Sequence, residues 1–172
     1  MKCYAHSRPN APVEEWQTLE EHLHGVADRA AEFADPFSSS KWGRLIGLLH
    51  DIGKSRKSFQ SYLLRSNDIE DAEPDYGNHS HSGVGGCWIS QNAGTIGKIL
   101  SYCIVGHHGG LPDWSGGDKP DGSLVQRLEN ERKMLEELLS TSYLPLLIYH
   151  HYYSYFLMKS YYLLQVQTFH LL

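Results

Sequence analysis

The chain has 172 residues, of which 41% are hydrophobic and 20% charged, a balance that suits a single globular domain with one core. Its net charge of −5 and pI of about 6.1 argue against a protein that coats nucleic acid through a broad basic face. Eleven histidines are more than packing requires in a chain of this size, so some of them are expected to have a role beyond packing.

The cysteines and the N-terminus indicate the compartment. Cys3, Cys87 and Cys103 are too few and too scattered for a disulfide framework or a zinc cluster, and they are typical of reduced thiols. The first ten residues, MKCYAHSRPN, contain no apolar run after Lys2, so they do not form a secretory signal. We therefore expect a cytoplasmic protein.

Two amphipathic helices are predicted near the start of the chain. In residues 14–34, apolar residues recur at spacings of three and four, the period of a helix with one buried face: Trp16, Leu19, Leu23, Val26, Ala30 and Phe33. Pro36 and the serines at 38–40 are expected to end this helix and cap the next. Residues 41–54 continue as a second helix, whose predicted buried face comprises Trp42, Leu45, Ile46, Leu49 and Ile52.

The remaining predicted elements are also helical. Residues 66–80 are polar and acidic and should form a solvated loop. The later predicted helices are a third from His81 or Gly83 towards Gln91, a fourth over 95–105 that stops at the sequence His-His-Gly-Gly, and a fifth opened by Ser123 with Ser-x-x-Gln capping spacing. No alternating strand pattern is strong. The predicted fold class is therefore all-α, with one domain over residues 1–142.

The C-terminal stretch has an unusual composition. From Leu138 onwards there is no Asp or Glu, Lys159 is the one Lys or Arg, and seven of the eleven tyrosines fall at or after Tyr143. A buried or interface helix would explain this pattern. A membrane span is disfavoured because a proline, two adjacent histidines and Lys159 interrupt the stretch. A third interpretation is that residues 143–172 are an aberrant or truncated C-terminal segment of the same domain.

His50 and Asp51 lie within an apolar run of the second predicted helix, between Leu49 and Ile52. A titratable pair in such a place is costly unless both groups are paired or bind a cation. Imidazole nitrogen and carboxylate oxygen together suit a borderline or hard divalent ion, and a carboxylate can bridge two ions. The pair is therefore a candidate metal site, with a buried His–Asp hydrogen bond as the alternative.

Histidines elsewhere are placed where they could join this pair. On the first predicted helix, His22 lies close enough to the apolar face to reach an interior site, whereas His24 lies nearly opposite and should face water. His79 and His81 precede the third predicted helix, and either could point inward.

His107 and His108 close the fourth predicted helix. Adjacent side chains on a helix point in different directions, so both could reach one site only at a helix end, where the following glycines permit the backbone to turn. Alternatively, His108 caps the last carbonyl groups of the helix. The remaining histidines have no such context; they are His6, His150, His151 and His170.

Six segments between residues 4 and 113 form a specific pattern: Ala5-His6-Ser7, Trp16-x-x-Leu-x-x-His22-Leu, Gly47-Leu-Leu-His50-Asp51-Ile-Gly-Lys54, Phe59-Gln60-x-Tyr62-Leu63, His81-Ser82-x-x-Gly85 and Gly106-His107-His108-Gly109-Gly110-Leu111-Pro112-Asp113. Together they resemble the HD phosphohydrolase superfamily, and most closely the HD nuclease of type I CRISPR systems. The resemblance implies an HD-domain helical bundle with a metal site between its helices.

The resemblance also implies which residues form the site. The first of two divalent ions would be held by His22, His50 and Asp51, and the second by Asp51, His81, His107 and His108. His81 is preferred over His79 because the sequence HSGVGGCWI fits the family pattern to its end. Asp51 and Lys54 would be the catalytic residues, with Lys54 beside the scissile phosphate. The ions would be Mg²⁺ or Mn²⁺, with Ni²⁺, Co²⁺, Fe²⁺ or Zn²⁺ as alternatives.

The implied function is a metal-dependent nuclease that hydrolyses phosphodiester bonds of single-stranded DNA in CRISPR antiviral defence. Its implied partners are a helicase subunit or domain and the CRISPR surveillance complex. Two alternatives stay open: an HD-type phosphohydrolase of nucleotides or cyclic nucleotides, and a degenerate, inactive HD domain that acts only as a binding module.

The degenerate alternative arises from one departure from the family pattern. The family has a further Asp ligand on a late helix, whereas this chain has no acidic residue after Glu137. We expect the natural chain to be truncated or frameshifted after about residue 158. The nucleotide sequence of the gene tests this expectation, because an Asp-containing continuation in another frame would support it and its absence would refute it.

Overall fold

The computed structural model describes residues 2–69, 79–116 and 122–140. These residues contain a small antiparallel sheet of two strands, β1 (Tyr4–His6) and β2 (Gln17–Thr18). They also contain six α-helices: α1 (Leu19–Ala34), α2 (Ser40–Leu49), α3 (Lys57–Arg65), α4 (Gly83–Asn92), α5 (Gly94–Gly106) and α6 (Leu124–Leu139). The predicted all-α class is confirmed for this part of the chain, with one short sheet that the sequence did not indicate.

Helix α1 begins later than its apolar pattern predicts. Thr18 and Glu21 form a capping box, in which Thr18 Oγ1 accepts from the backbone N–H of Glu21 at 3.2 Å and Glu21 accepts from that of Thr18 at 3.1 Å. The residues before this cap form a 3-10 turn and strand β2. The predicted helical start at residue 14 was therefore wrong. Trp16 is nevertheless buried, because it packs against Phe59 and Leu63 of α3.

Helices α1 and α2 pack through small residues. A Cβ on Gly47 would clash with the backbone of Ala27, and a Cβ on Gly43 would clash with the carbonyl oxygen of Ala30. Glycine at both positions therefore lets the two helix backbones approach closely. This approach brings the first turn of α1 near the end of α2.

The same packing explains two errors in the predicted buried faces. Phe33 is 73% exposed and Trp42 is 42% exposed, although both were assigned to apolar faces. Hydrophobic periodicity gives little weight to glycine and alanine, yet these residues form the real contact between α1 and α2. Phe33 and Trp42 point outwards beside that contact.

Helix α2 ends at Leu49, five residues before the predicted end, and its start also differs from the prediction. Asp51 has φ −118° and ψ 16°, which leaves the helical path, and Ile52–Ser55 continue as a 3-10 turn. At the other end, Ser39 makes no side-chain cap and instead donates to the carbonyl oxygen of Phe37 at 3.0 Å. Helix α3, which was not predicted from the sequence, follows this turn directly.

The later predicted helices are confirmed within one or two residues. Gly94, the first residue of α5, has φ 54°, a backbone conformation that favours glycine where the chain turns from α4 into α5. Ser123 caps α6, since its Oγ accepts from the backbone N–H of Gln126 at 3.2 Å. Most of the predicted acidic loop at 66–80 lies outside the described residues.

Residues up to Leu138 form one compact unit. The predicted boundary between residues 142 and 143, and the tyrosine-rich segment after it, lie outside the described residues. In the part of the chain that the structure describes, no helix combines the length and the apolar character needed to cross a membrane.

The cysteines provide a simple test of this fold. Cys3 and Cys87 are buried and Cys103 is exposed. Burial raises the pKa of the Cys87 thiol to about 11, and burial also raises the pKa of Cys3. We expect a thiol reagent near neutral pH to label Cys103 quickly and the other two only after unfolding in guanidinium. Rapid labelling of Cys87 in the native protein would contradict the described core.

Candidate metal centre

The predicted ligands come together from separate parts of the chain: α1, the end of α2, the segment before α4, and the turn after α5. They form two overlapping groups, and in each group the ligand atoms lie within 4.8 Å of one another. The first group comprises His22, His50 and Asp51, and the second comprises Asp51, His81, His107 and His108. Asp51 is common to both.

One oxygen of Asp51 faces the first group. Asp51 is 3% exposed, and its Oδ2 lies 2.9 Å from Nε2 of His22 and 3.3 Å from Nε2 of His50. The two imidazole nitrogens are themselves only 3.2 Å apart. Lys54 Nζ approaches the same oxygen at 2.9 Å.

The other oxygen of Asp51 faces the second group. Its Oδ1 lies 3.3 Å from Nε2 of His107 and 3.5 Å from Nε2 of His81. Nε2 of His81 is in turn 3.0 Å from Nε2 of His108. Oδ1 is buried and makes no hydrogen bond of regular geometry within the described residues. A buried carboxylate oxygen in this state is well suited to bind a cation.

Backbone contacts assign the tautomers of three of these histidines. Nδ1 of His50 lies 2.7 Å from the carbonyl oxygen of Gly47, and Nδ1 of His107 lies 2.6 Å from that of Ile104. His81 makes a longer contact of this kind, at 3.3 Å, with the carbonyl oxygen two residues earlier. A carbonyl oxygen can only accept, so Nδ1 carries the hydrogen and Nε2 of the neutral ring presents a lone pair. Metal-binding histidines are commonly oriented in this way.

The arrangement therefore directs several lone pairs towards one another. Where a ring is neutral, its Nε2 and the ionised carboxylate are both acceptors at the point where they meet, so either a proton on the ring nitrogen or a bound cation is needed between them. Nitrogen and oxygen donors of these types match the preferences of divalent transition metals and Mn²⁺. The donor set thus fits divalent metal ions.

The charged state of Asp51 is favoured even without a metal. Burial alone would raise the pKa of its carboxyl, but the imidazoles of His107, His22 and His50 beside it hold that pKa well below its usual range. Asp51 is therefore an anion throughout the range in which the protein would act, as a ligand must be.

His81 and His107 should titrate on opposite sides of the ordinary histidine pKa in the metal-free protein. Burial lowers the pKa of His81. At His107 burial also acts to lower the pKa, but its contacts with Asp51 and with the carbonyl oxygen of Ile104 outweigh burial and raise it. Following the imidazole C2–H signals by NMR against pH measures both values. The reverse order would contradict the described geometry.

These opposite shifts also give opposite contributions to stability. The contribution of His107 is fully present below its unfolded pKa and is lost as pH rises through its raised folded pKa. The contribution of His81 is present above its unfolded pKa and is lost as pH falls through its lowered folded pKa.

Lys54 lies behind Asp51. It is 4% exposed, and its ammonium donates to Asp51 Oδ2 and, at 3.4 Å, to the carbonyl oxygen of Ala5. In this arrangement Lys54 orients the carboxylate. Its predicted place beside a scissile phosphate stays a prediction.

The remaining histidines are those that were alternatives to the predicted ligands or had no predicted role in the site. His79 stacks on the ring of Tyr62, with centroids 4.4 Å apart, and belongs to neither group. His107, through its Nδ1, contacts the carbonyl oxygen of Ile104 in the last turn of α5. The alternative interpretation had assigned this capping role to His108. His24 is half-buried and also belongs to neither group. His150, His151 and His170 lie outside the described residues.

His6 is one neighbour of the site that sequence analysis set aside. Its ring packs edge-on against that of His22, with centroids 4.9 Å apart. The available signal was the segment Ala5-His6-Ser7, whose pattern contributed to the resemblance. The two rings meet because strand β1 pairs with β2, which leads directly into α1.

Comparison with known proteins identifies a family for most of the chain. A protein-family model described as "Cas3, HD domain" matches residues 5–143, which is most of the chain and includes every ligand candidate named above. No curated protein matches the chain.

Proposed function

Because the chain belongs to the family of Cas3 HD domains, we propose that it is a metal-dependent nuclease that hydrolyses phosphodiester bonds of single-stranded DNA in CRISPR antiviral defence. The observation that carries this proposal is the convergence of imidazole nitrogens on both carboxylate oxygens of Asp51. In the proposal these groups bind two ions, through His22, His50, Asp51, His81, His107 and His108.

In the proposed reaction the chain supplies a rigid frame of ligands. Asp51 would offer one carboxylate oxygen to each ion, and Lys54 holds that carboxylate in place from the buried side. The backbone carbonyls that contact Nδ1 of His50 and His107 fix the directions of those two rings. Divalent ions held by these residues would supply Lewis-acid polarisation of the phosphate and a nucleophile at neutral pH.

The exposure of the side chains indicates the side from which a substrate would approach. The Asp51 side chain is 5% exposed, whereas the His107 side chain is 23% exposed and His108 is an exposed residue. The substrate would therefore reach the ions past His107 and His108. A single strand threaded through a narrow site is compatible with a net charge of −5, because it needs no broad basic surface.

The proposed setting follows from the family alone. A Cas3 HD domain belongs to CRISPR defence, so we propose a helicase subunit or domain and the CRISPR surveillance complex as partners. The cytoplasmic location expected from the cysteines stays a prediction.

An assay of the purified chain with Mn²⁺ or Mg²⁺ tests this function. It should compare circular single-stranded DNA with a panel of nucleotides and cyclic nucleotides, with and without EDTA. We expect metal-dependent DNA cleavage that His22→Ala removes. His24→Ala is the matched control, since it lies on the same helix but in neither ligand group, and it should cleave like the wild type.

Two results would refute this proposal, and each would favour a different function. Hydrolysis of nucleotides with intact DNA would indicate a nucleotide phosphohydrolase. Absence of both cleavage and metal binding would indicate an inactive domain that acts only as a binding module.

A further inference from the structure

Two buried charged side chains hold the residue immediately before His81. Arg56 Nη1 donates to the carbonyl oxygen of Ser80 at 2.9 Å, and the hydroxyl of Ser80 donates to Glu131 Oε1 at 3.1 Å. Arg56 is 6% exposed and Glu131 is 7% exposed. Both the backbone and the side chain of Ser80 are therefore fixed from within the protein.

Glu131 reaches this position from α6 across the start of α4. A Cβ added to Gly83 would overlap the side chain of Glu131, with its Cδ at 2.7 Å. Glycine at position 83 thus makes room for the carboxylate beside Ser80. Arg56 is tied to the same helix, because its Nη1 also lies 3.0 Å from Met134 Sδ.

A carboxylate is a costly choice for packing α6 at this point. The other buried residues of α6 are all leucines: Leu124, Leu135 and Leu138. An apolar side chain at position 131 would cover α4 without the desolvation penalty of a carboxylate. That penalty is visible in the pKa of Glu131, which burial raises. Packing alone does not account for Glu131, whereas its hydrogen bond to Ser80 and its attraction to the Arg56 guanidinium, which holds the same residue, do.

We propose that Glu131 is a positioning residue for His81. By fixing Ser80, it sets the path of the backbone into His81 and hence the direction of the imidazole towards Asp51 Oδ1. This inference rests on the proposed function, in which His81 is a ligand of the second ion. Glu131 lies outside the segments that carried the family resemblance.

Calorimetric titration of Mn²⁺ into the metal-free protein tests the proposal. We expect the wild type to bind two ions, and Glu131→Ala to bind the second about 10–100-fold more weakly, the usual cost of losing a residue that orients a ligand. The affinity for the first ion should not change. Glu131→Gln should restore most of the loss, because its amide oxygen can accept from the hydroxyl of Ser80.

Glu129→Ala is the matched control. Glu129 lies two residues away on α6 and forms an exposed ion pair with Arg132, so both ion affinities should equal those of the wild type. If Glu131→Ala does not fold, Ser80→Ala removes the same hydrogen bond and should weaken the second ion likewise.

The outcomes separate this inference from the proposed function. A wild type that binds no second ion overturns both. Two ions in the wild type with an unchanged second affinity in Glu131→Ala, or in Ser80→Ala where the first variant does not fold, overturn this inference alone. A lower melting temperature without a change in ion affinity would likewise reduce Glu131 to a purely structural role.

Discussion

Asp51→Ala is expected to remove both ions from the protein and to abolish metal-dependent cleavage. Asp51 supplies one oxygen to each ligand group, so its loss affects both, whereas His22→Ala or His108→Ala affects one. The rate should fall by more than the roughly 10²–10³-fold that the loss of a single transition-state stabiliser costs. Metal content after dialysis and initial cleavage rates measure the two effects.

A stability control must accompany this variant. Removing the carboxylate leaves the buried ammonium of Lys54 without its ion partner, and breaking a buried pair costs about 3–5 kcal/mol. Asp51→Asn keeps an oxygen that can accept from Lys54 and should unfold closer to the wild type, yet it should still bind the ions poorly. Asp28→Ala is the control for a surface carboxylate, since Asp28 pairs with Arg44 on the outside. Retention of either ion by Asp51→Ala would contradict the shared-ligand arrangement.

Gly53→Ala is expected to destabilise the protein and to displace His81. A Cβ at position 53 would overlap the carbonyl oxygen of His81 and lie 2.8 Å from its Cα, and backbone atoms cannot move aside as a flexible side chain can. Overpacking of this kind costs about 1–3 kcal/mol. Because the displaced residue is a proposed ligand, the second ion should also bind more weakly. Urea unfolding of the metal-free protein and Mn²⁺ titration measure the two effects.

Gly25→Ala provides the matched glycine substitution. Gly25 lies within α1, and a Cβ there would meet nothing within 4 Å. Alanine should therefore stabilise the helix by about 0.5–1 kcal/mol. If the two alanine variants unfold at the same urea concentration, the close contact between Gly53 and His81 is not real.

The sequence alone was sufficient to find the centre of the site. The run around His50 and Asp51 places two titratable groups among apolar residues, which is costly unless a partner compensates. Asp51 lies where the two candidate ligand groups meet, and His50 belongs to the first of them. The direction of His22 followed from helical periodicity. These inferences were possible because each depends on local spacing.

Features that depend on tertiary contacts could not be predicted in this way. Residue spacing alone left both His79 and His81 as candidate ligands. The structure distinguishes them, because His79 stacks on Tyr62 whereas His81 belongs to a ligand group. Glu131 contacts Ser80, 51 residues earlier in the chain, and no local pattern marks it. The contact between α1 and α2 depends on Ala27, Gly43 and Gly47, which the predicted apolar faces did not include.

The most direct test of the account is anomalous diffraction from crystals of the protein loaded with Mn²⁺. We expect two peaks about 3.5–4 Å apart, the usual spacing of two-metal sites, with Asp51 bound to both. One peak should lie beside His22 and His50, and the other beside His81, His107 and His108. A single peak, or two peaks that do not share Asp51, would contradict a two-ion site centred on this carboxylate.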